Sequence, residues 1–396
     1  MCDNCRPMHL ARLDLANFRT FRRLELDLQP GTHVIAAPNA RGKTNLLEAI
    51  ALLATARSAR ARTDRELISW QALAEDPLPV ARIEGRIAAR DGATTVEMAV
   101  IARAGEPDER PVASRRFRVN GIARRASDVI GRLRVVLFAA DDLRIIDGPP
   151  AVRRRYLDIT ISQFDPAYVR ALQRYARVLQ QRNALLRRLQ ERRAAGGEIE
   201  FWDGELADAG AVIAAARAAA LGALSSAAAA RYDELAGRRA PLALCYRPAV
   251  PAEMAPSIAA PGLAAALRAT FEQQRAGDIA AGITRSGPHR DDIEFLLDGR
   301  PAGPFASRAE QRTAALALRL AEVPLSTQRT GDPPLLVLDD VLSELDAERR
   351  ERVLAVAHGV DQLIITTADP QHPALADLPG ARRYGIEDGV LVPVAP

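Results

Sequence analysis

Lys43 is the only lysine among the 54 Lys and Arg residues of this 396-residue chain. It stands in Ala37-Pro38-Asn39-Ala40-Arg41-Gly42-Lys43-Thr44, the phosphate-loop pattern of a small residue, four spacers and Gly-Lys-Thr. Wherever charge alone is needed the chain uses arginine, whose guanidinium is planar and broad. An ammonium is a compact point charge that reaches between two phosphates. Keeping lysine here points to a loop, residues 37–44, that wraps a phosphate chain; a chance Gly-Lys-Thr is the competing reading. The Thr44 hydroxyl is the expected magnesium ligand. Two alanines depart from the common pattern, because glycine is usual at Ala37 and frequent at Ala40. If Ala40 takes positive φ, its β-carbon costs about 1 kcal/mol.

The complementary chemistry lies near the other end of the chain. Leu335-Leu336-Val337-Leu338-Asp339-Asp340 is an apolar strand ending in two carboxylates. Asp339 is expected to hold magnesium through a water, and Asp340 to polarise an attacking water. A strand whose acidic end only caps the next helix is the alternative, and the following Ser343-Glu344-Leu345-Asp346 argues against it. Leu363-Ile364-Ile365-Thr366-Thr367 reads as another buried strand. Thr367 at its tip either senses the terminal phosphate or forms a turn.

These groups need a strand, a loop and a helix to position them. His33-Val34-Ile35-Ala36 is a short β-rich apolar run, and Leu46, Leu47, Ile50 and Leu53 recur at helical spacing. The helix thus opens at the loop, aiming its free N–H groups and positive dipole end at the phosphates. With the loop and the acidic strand at opposite ends, the expected fold class is α/β: a P-loop ATPase head split by an inserted lobe. Residues 8–150 alternate strands with turns such as Arg90-Asp91-Gly92 and Asn120-Gly121. Residues 151–279 read as a helical lobe, with Tyr168, Leu172, Tyr175, Leu179, Leu186 and Leu189 marking one buried stripe. Gly196-Gly197 is a turn within it, and 248–261 is a loop or linker. Residues 280–396 return to strands, with Asp298-Gly299 as a turn, and complete the head. Residues 1–7 read as an extension upstream of Met8.

Hydrophobic content of 48% and charged content of 26% are ordinary for a globular chain. A net charge of +4 is weak support for a nucleic-acid partner. Clustering says more: Arg115, Arg116 and Arg118 lead through the Asn120-Gly121 turn to Arg124 and Arg125. Such a hairpin either contacts DNA phosphates or is an edge protected by charge. Arg182, Arg187, Arg188, Arg192 and Arg193 form a second basic candidate. Aromatic residues, 4% of the chain, are too few for a base-stacking platform. Cys2 and Cys5 have CxxC spacing but no second pair, and Cys245 stands apart, so neither zinc nor disulfides are expected. The alanine-rich run 209–230 is interrupted by Arg217 and reads as a packed helix, so no membrane partner is expected and the cytoplasm is the expected compartment.

Several runs resemble the RecF family of SMC-type ATPases. The opening Leu10-Ala11-Arg12-Leu13-Asp14-Leu15-Ala16-Asn17-Phe18-Arg19-Thr20-Phe21 is similar to the family's first hairpin, and Gly42-Lys43-Thr44-Asn45-Leu46-Leu47-Glu48-Ala49-Ile50 to its loop helix. More specific are the run from Phe138 through Gly148-Pro149-Pro150 to Arg153-Arg154-Arg155-Tyr156-Leu157-Asp158, then Gly287-Pro288-His289-Arg290-Asp291-Asp292, and the stretch from Leu338 to Asp346. The resemblance implies a DNA repair protein that binds ATP and Mg2+ and dimerises on ATP binding over duplex DNA beside single-stranded gaps. It implies slow hydrolysis as a switch, and RecR and RecO as partners in recombinase loading, gap repair, replication restart and SOS induction. In the family a Ser-x-Gly-Gln signature meets the terminal phosphate held by the partner subunit. Here Ser307-Arg308-Ala309-Glu310-Gln311-Arg312 takes that place, so Ser307 is the implied contact, and Ala309 and Glu310 imply a weakened switch; an ordinary amphipathic helix with a serine N-cap is the alternative reading. A scaffold with an impaired switch, an ATP-gated nuclease and a transporter ATPase subunit are the rival readings. The nuclease needs a further C-terminal domain, and 50 residues follow Asp346.

Overall fold

Apolar and charged residues alternate along the first strands, and the alternation sets a sheet with one buried face. Strands β1 (His9–Phe18) and β2 (Phe21–Asp27) form a hairpin, followed by β3 (Gly31–Ala36) and α1 (Lys43–Thr55). Then come α2 (Trp70–Glu75), β4 (Val80–Ala89), β5 (Gly92–Ala102), β6 (Ala113–Val119), β7 (Ile122–Arg124), α3 (Ala126–Val129) and β8 (Val135–Phe138). The middle of the chain carries α4 (Leu143–Asp147), α5 (Pro150–Ser162), α6 (Pro166–Gln190), α7 (Ile199–Ala236), β9 (Leu242–Arg247) and α8 (Leu263–Ala281). After it follow β10 (Asp292–Leu297), β11 (Arg300–Pro301), α9 (Ala302–Phe305) and α10 (Arg308–Thr330). The last elements are β12 (Leu335–Asp339), α11 (Ala347–Ala357), β13 (Gln362–Thr367), β14 (Arg382–Glu387) and β15 (Val390–Val394).

This computed structural model describes residues 7–90, 92–103, 113–193, 196–237, 241–249, 262–345, 347–357, 359–369, 378, 380–387 and 389–394. Cys2, Cys5, Asp91, Asp346 and most of the 248–261 linker lie outside the described residues.

Two compact units emerge: residues 1–142, 234–236 and 319–396 form one, and 143–233 with 237–318 the other. The first holds an antiparallel sheet in the order β2-β1-β4-β5-β6-β7 and a second sheet in the order β15-β14-β3-β13-β12-β8. In the second sheet β3, β13, β12 and β8 run parallel. Parallel strands are covered on both faces, and β12 and β13 read accordingly as unbroken buried runs.

Helix α1 packs on β4 and β5 of the antiparallel sheet and on β8 and β12 of the other. Its Leu46, Leu47, Ile50, Leu52 and Leu53 are 0–2% exposed. Burial of each such side chain stabilises by about 1.5–3 kcal/mol. Gly85 on β4 makes the approach feasible, since a β-carbon there would sit 2.6 Å from Leu53 Cδ1.

The second unit is built on α6, α7 and α8 with the short β11-β10-β9 sheet. Its limits differ from the expected 151–279, because the Gly-Pro-His-Arg-Asp-Asp run packs inside it. Arg217 of α7 donates to the Pro288 carbonyl at 2.6 Å, and the Tyr175 hydroxyl meets His289 Nδ1 at 2.7 Å. Strand β10 pairs with β9 in antiparallel register, Asp292 opposite Arg247. Helix α7 is long and apolar enough to cross a bilayer on length and composition. It carries the buried Asp203 and Arg217, and both are ion-paired within the unit.

Arg182, a candidate phosphate contact on sequence, is instead fully buried. Its guanidinium donates to Asp203 at 2.7 Å and to Asp278 and Thr284 at 2.8 Å each. The helical period places residue 182 on the Tyr168–Tyr175–Leu186 stripe, so this arginine faces the core.

Candidate phosphate-binding site

The loop after β3 is held at both ends. The Ala37 N–H donates to the Thr367 carbonyl at 3.1 Å, anchoring the loop to the tip of β13. Gly42 closes it at φ 101° and caps α1. A β-carbon at Gly42 would lie 2.8 Å from Thr20 Oγ1 and 3.0 Å from Phe21 Cζ, so glycine is required by space as well as by φ. Ala40 does take positive φ, 65°, and carries the strain expected of a β-carbon there.

Lys43 is 6% exposed. Its ammonium donates to the Pro38 carbonyl at 3.1 Å and also to the Ala37 carbonyl. Burial pushes it below the usual lysine value, while the charges of Asp340 and Asp339 act in the opposite direction. Asp339 ends β12 and accepts from Thr366 Oγ1 at 2.7 Å. Asp340 follows at φ 53°, its N–H bonded to the Thr366 carbonyl and hydroxyl at 3.1 Å each. Its carboxylate accepts from Ser343 Oγ at 3.2 Å and the Ala368 N–H at 3.3 Å.

A cavity of about 450 Å3 brings these parts together, lined by Asn39, Ala40, Gly42, Lys43, Thr44, Asn45, Arg60, Ala140, Asp339 and Asp340. The lining combines the Lys43 ammonium, the Arg60 guanidinium and the Thr44 hydroxyl with the carboxylates of Asp339 and Asp340. That donor set fits a phosphate chain with a divalent cation. Among the described residues no group of three or more His, Cys, Asp or Glu side chains is arranged to hold a metal by itself. Thr44 and Asp339 therefore fit a cation that phosphate oxygens also ligate.

Thr367 is fully buried, and its hydroxyl is within 3.4 Å of the Asp369 carbonyl and accepts from the Asp369 N–H at 3.2 Å. Ser307 lies in the other compact unit, at the start of α10. Its N–H and Oγ both donate to Glu310, at 2.9 and 2.8 Å, while the Glu310 N–H reaches Ser307 Oγ at 3.3 Å. This reciprocal arrangement is a capping box. It gives Glu310 a local task that its chemistry beside a polyanion does not suggest.

The hairpin arginines divide. Arg115 is turned inward, donating to Asp64 Oδ1 at 2.8 Å and to the Ala56 carbonyl at 2.7 Å. Arg116, Arg118, Arg124 and Arg125 are exposed, with Arg118 3.9 Å from Glu97.

Arg60 is the charged cavity residue that sequence reasoning missed. It is presented by Ser58, whose Oγ accepts from the Arg60 N–H at 3.0 Å and the Ala61 N–H at 2.7 Å. The same hydroxyl donates to Glu48 of α1. The available signal was Glu48, which the α1 period puts on the buried side, where a carboxylate requires a cationic or hydroxyl partner.

The family described as RecF/RecN/SMC N terminal domain matches residues 9–381. The DNA replication and repair protein RecF of Chloroflexus aurantiacus is 45% identical over 390 residues, covering 96% of this chain and 99% of the relative. Its namesake in Herpetosiphon aurantiacus is 43% identical over 393 residues, covering 98% and 100%. A solved structure described as the recombination mediator protein RecF-ATP in the RecFOR pathway superposes with a TM-score of 0.85 at 28% identity, covering 98% of each chain. The Smc head domain of Pyrococcus furiosus superposes at 0.54 with 17% identity, covering 98% of this chain and 96% of that one, a likeness of fold.

Proposed function

The chain belongs to the RecF family, and from that premise we propose that it is an ATP-dependent, DNA-binding recombination mediator. The observation that carries this reading is the single cavity into which Lys43 and Thr44 open opposite Asp339 and Asp340. ATP, when bound, supplies a polyanion whose terminal phosphate can be removed by water. Lys43 exchanges its carbonyl partners for phosphate oxygens, and Thr44 and Asp339 hold Mg2+ among them. Asp340, fixed by Ser343 and the Ala368 N–H, orients a water for slow hydrolysis. Ser307 of a second copy completes the site, so ATP binding favours the dimer by mass action. The dimer acts on duplex DNA beside single-stranded gaps, in the cytoplasm, with RecO and RecR as partners that pass the gap to recombinase. Gap repair, replication restart and SOS induction are the outputs.

A scaffold with an impaired switch is the second reading. Ala40 at φ 65° and the Glu310 carboxylate on the Ser307 hydroxyl favour it.

Titration with ATP and magnesium, followed by light scattering beside Lys43→Ala, separates the two. Dimer in the wild type alone supports the switch. Equal ATP-dependent dimerisation of Lys43→Ala overturns the composite site, and no binding by either chain leaves the scaffold.

A further inference from the structure

We infer that the outward ridge of α6 is a contact surface for the phosphate backbone of duplex DNA. The inference rests on the DNA-binding reading above and names residues for it. Over Pro166–Gln190, α6 carries six arginines and no Asp or Glu. The whole chain has a net charge of only +4, so the remainder carries a small net negative charge and α6 is a stretch of one sign.

Two of the six are neutralised locally. Arg182 is buried against Asp203 and Asp278, and Arg174 lies 2.8 Å from Glu205. Arg170, Arg177, Arg187 and Arg188 remain, all exposed. At 3.6 residues per turn, Arg170, Arg177 and Arg188 fall within about 20° of one line along the helix. That line faces away from the Tyr168–Tyr175–Leu186 stripe, and Arg187 projects about a quarter turn to one side of it. At about 1.5 Å per residue the ridge from Arg170 to Arg188 is about 27 Å long, on the order of eight base pairs of duplex.

Between the arginines stand Gln173, Gln180 and Gln181, neutral groups that also donate to phosphate oxygens. The exposed positions of α6 include no large apolar side chain. A protein partner needs apolar or aromatic anchors at the centre of its interface, whereas a phosphate backbone needs none. The antiparallel sheet is the alternative: carboxylates answer Arg12 and Arg82, whereas Arg116, Arg124 and Arg125 of the β6–β7 hairpin are exposed and form a second basic patch. Arg12 meets Asp14 at 2.8 Å and Glu25 at 2.6 Å, and Arg82 meets Glu84 at 2.5 Å and Glu97 at 3.1 Å.

The test is the salt dependence of binding to a fluorescent duplex, with ATP and Mg2+ present throughout. It compares the wild type with R170Q/R177Q/R187Q/R188Q and with a charge-matched control, R22Q/R103Q/R132Q/R329Q. Glutamine preserves helix propensity, and thermal melts establish that each variant is folded. Three to four lost phosphate contacts reduce the slope of log affinity against log salt by about 3. That loss in the ridge variant, with a wild-type slope in the control, is the expected result. An unchanged slope in the ridge variant, or an equal loss in the control, overturns the inference while leaving DNA binding intact. Absence of duplex binding by the wild type at low salt removes the DNA-binding reading and the ridge together. Ridge-dependent binding of labelled polyglutamate with an unaltered DNA slope assigns the surface to an acidic polypeptide and likewise overturns it.

Discussion

The Arg19 guanidinium grips the Glu48 carboxylate through two contacts of 2.9 Å, Nε to Oε2 and Nη2 to Oε1. Arg19 sits in the β1–β2 turn at φ 51°, and Glu48 lies on the buried side of α1. The same carboxylate accepts from Ser58, so one acidic group ties the first hairpin, the loop helix and the Arg60 segment together. Glu48→Ala strands a half-buried guanidinium and should cost about 2–3 kcal/mol, read from urea unfolding. Ser58→Ala should cost about 1 kcal/mol and weaken ATP binding several-fold, because Arg60 loses its anchor. Unaltered ATP affinity in a folded Ser58→Ala protein would separate Arg60 from the ligand.

The phosphate loop yields two predictions of opposite sign. Ala40→Gly relieves a β-carbon at φ 65° and should stabilise by about 0.5–1 kcal/mol. Gly42→Ala introduces one 2.8 Å from Thr20 Oγ1 at φ 101°, and should destabilise by about 2 kcal/mol or more and lower ATP affinity. Paired denaturation curves check both; equal midpoints would show that the loop backbone relaxes freely.

Acid should weaken the second unit through His289. Burial pushes its imidazole down to about 4, against the Thr284 carbonyl contact that favours the charged form. The unfolded histidine protonates near pH 6.5, so the unfolded state takes the proton first as pH falls. Stability from this group is complete above about pH 6.5 and falls until about pH 4, by about 3 kcal/mol at most. His289→Gln should flatten that part of the stability–pH curve; an unchanged slope would assign it elsewhere.

Asp203 balances two guanidinium groups, Arg182 at 2.7 Å and Arg275 at 2.9 Å. Asp203→Asn leaves Arg182 with Asp278 as its one carboxylate partner and should cost about 3–5 kcal/mol, seen as a lower melting temperature. A loss below about 1 kcal/mol would mean that water or rearrangement compensates the charge.

Sequence pattern made the strand–loop–helix unit and the acidic strand legible, because each is a local run with its own period and residue chemistry. Positive φ at Ala40 was foreseeable as a condition and became a fact only with the backbone. Arg182 and Arg115 were misleading for one reason: an arginine cluster in sequence does not say which members face carboxylates from distant segments. Asp203, Asp278 and Asp64 supply those partners across separations that no local pattern encodes. The place of Gly287-Pro288-His289-Arg290-Asp291-Asp292 was hidden similarly, since Arg217 and Tyr175 hold it from α7 and α6. Arg60 escaped because its importance derives from Glu48, twelve residues away and on another element.

The strand order β14-β3-β13-β12-β8 carries a consequence for how the chain is made. Both neighbours of β3, the strand that bears the phosphate loop, come from residues 362–367 and 382–387. The other N-terminal strand of that sheet, β8, is separated from β3 by β12 and β13. During synthesis β3 therefore emerges with no partner in its sheet and remains an open edge while some 300 further residues are added. At about 5–20 residues per second that interval is on the order of 15–60 s. Unpaired edges and non-local parallel pairing make such a nascent chain slow to close and prone to association. The β3 edge is accordingly paired only in a chain that extends through β13 and β14, and any released fragment that stops before β12 leaves it open.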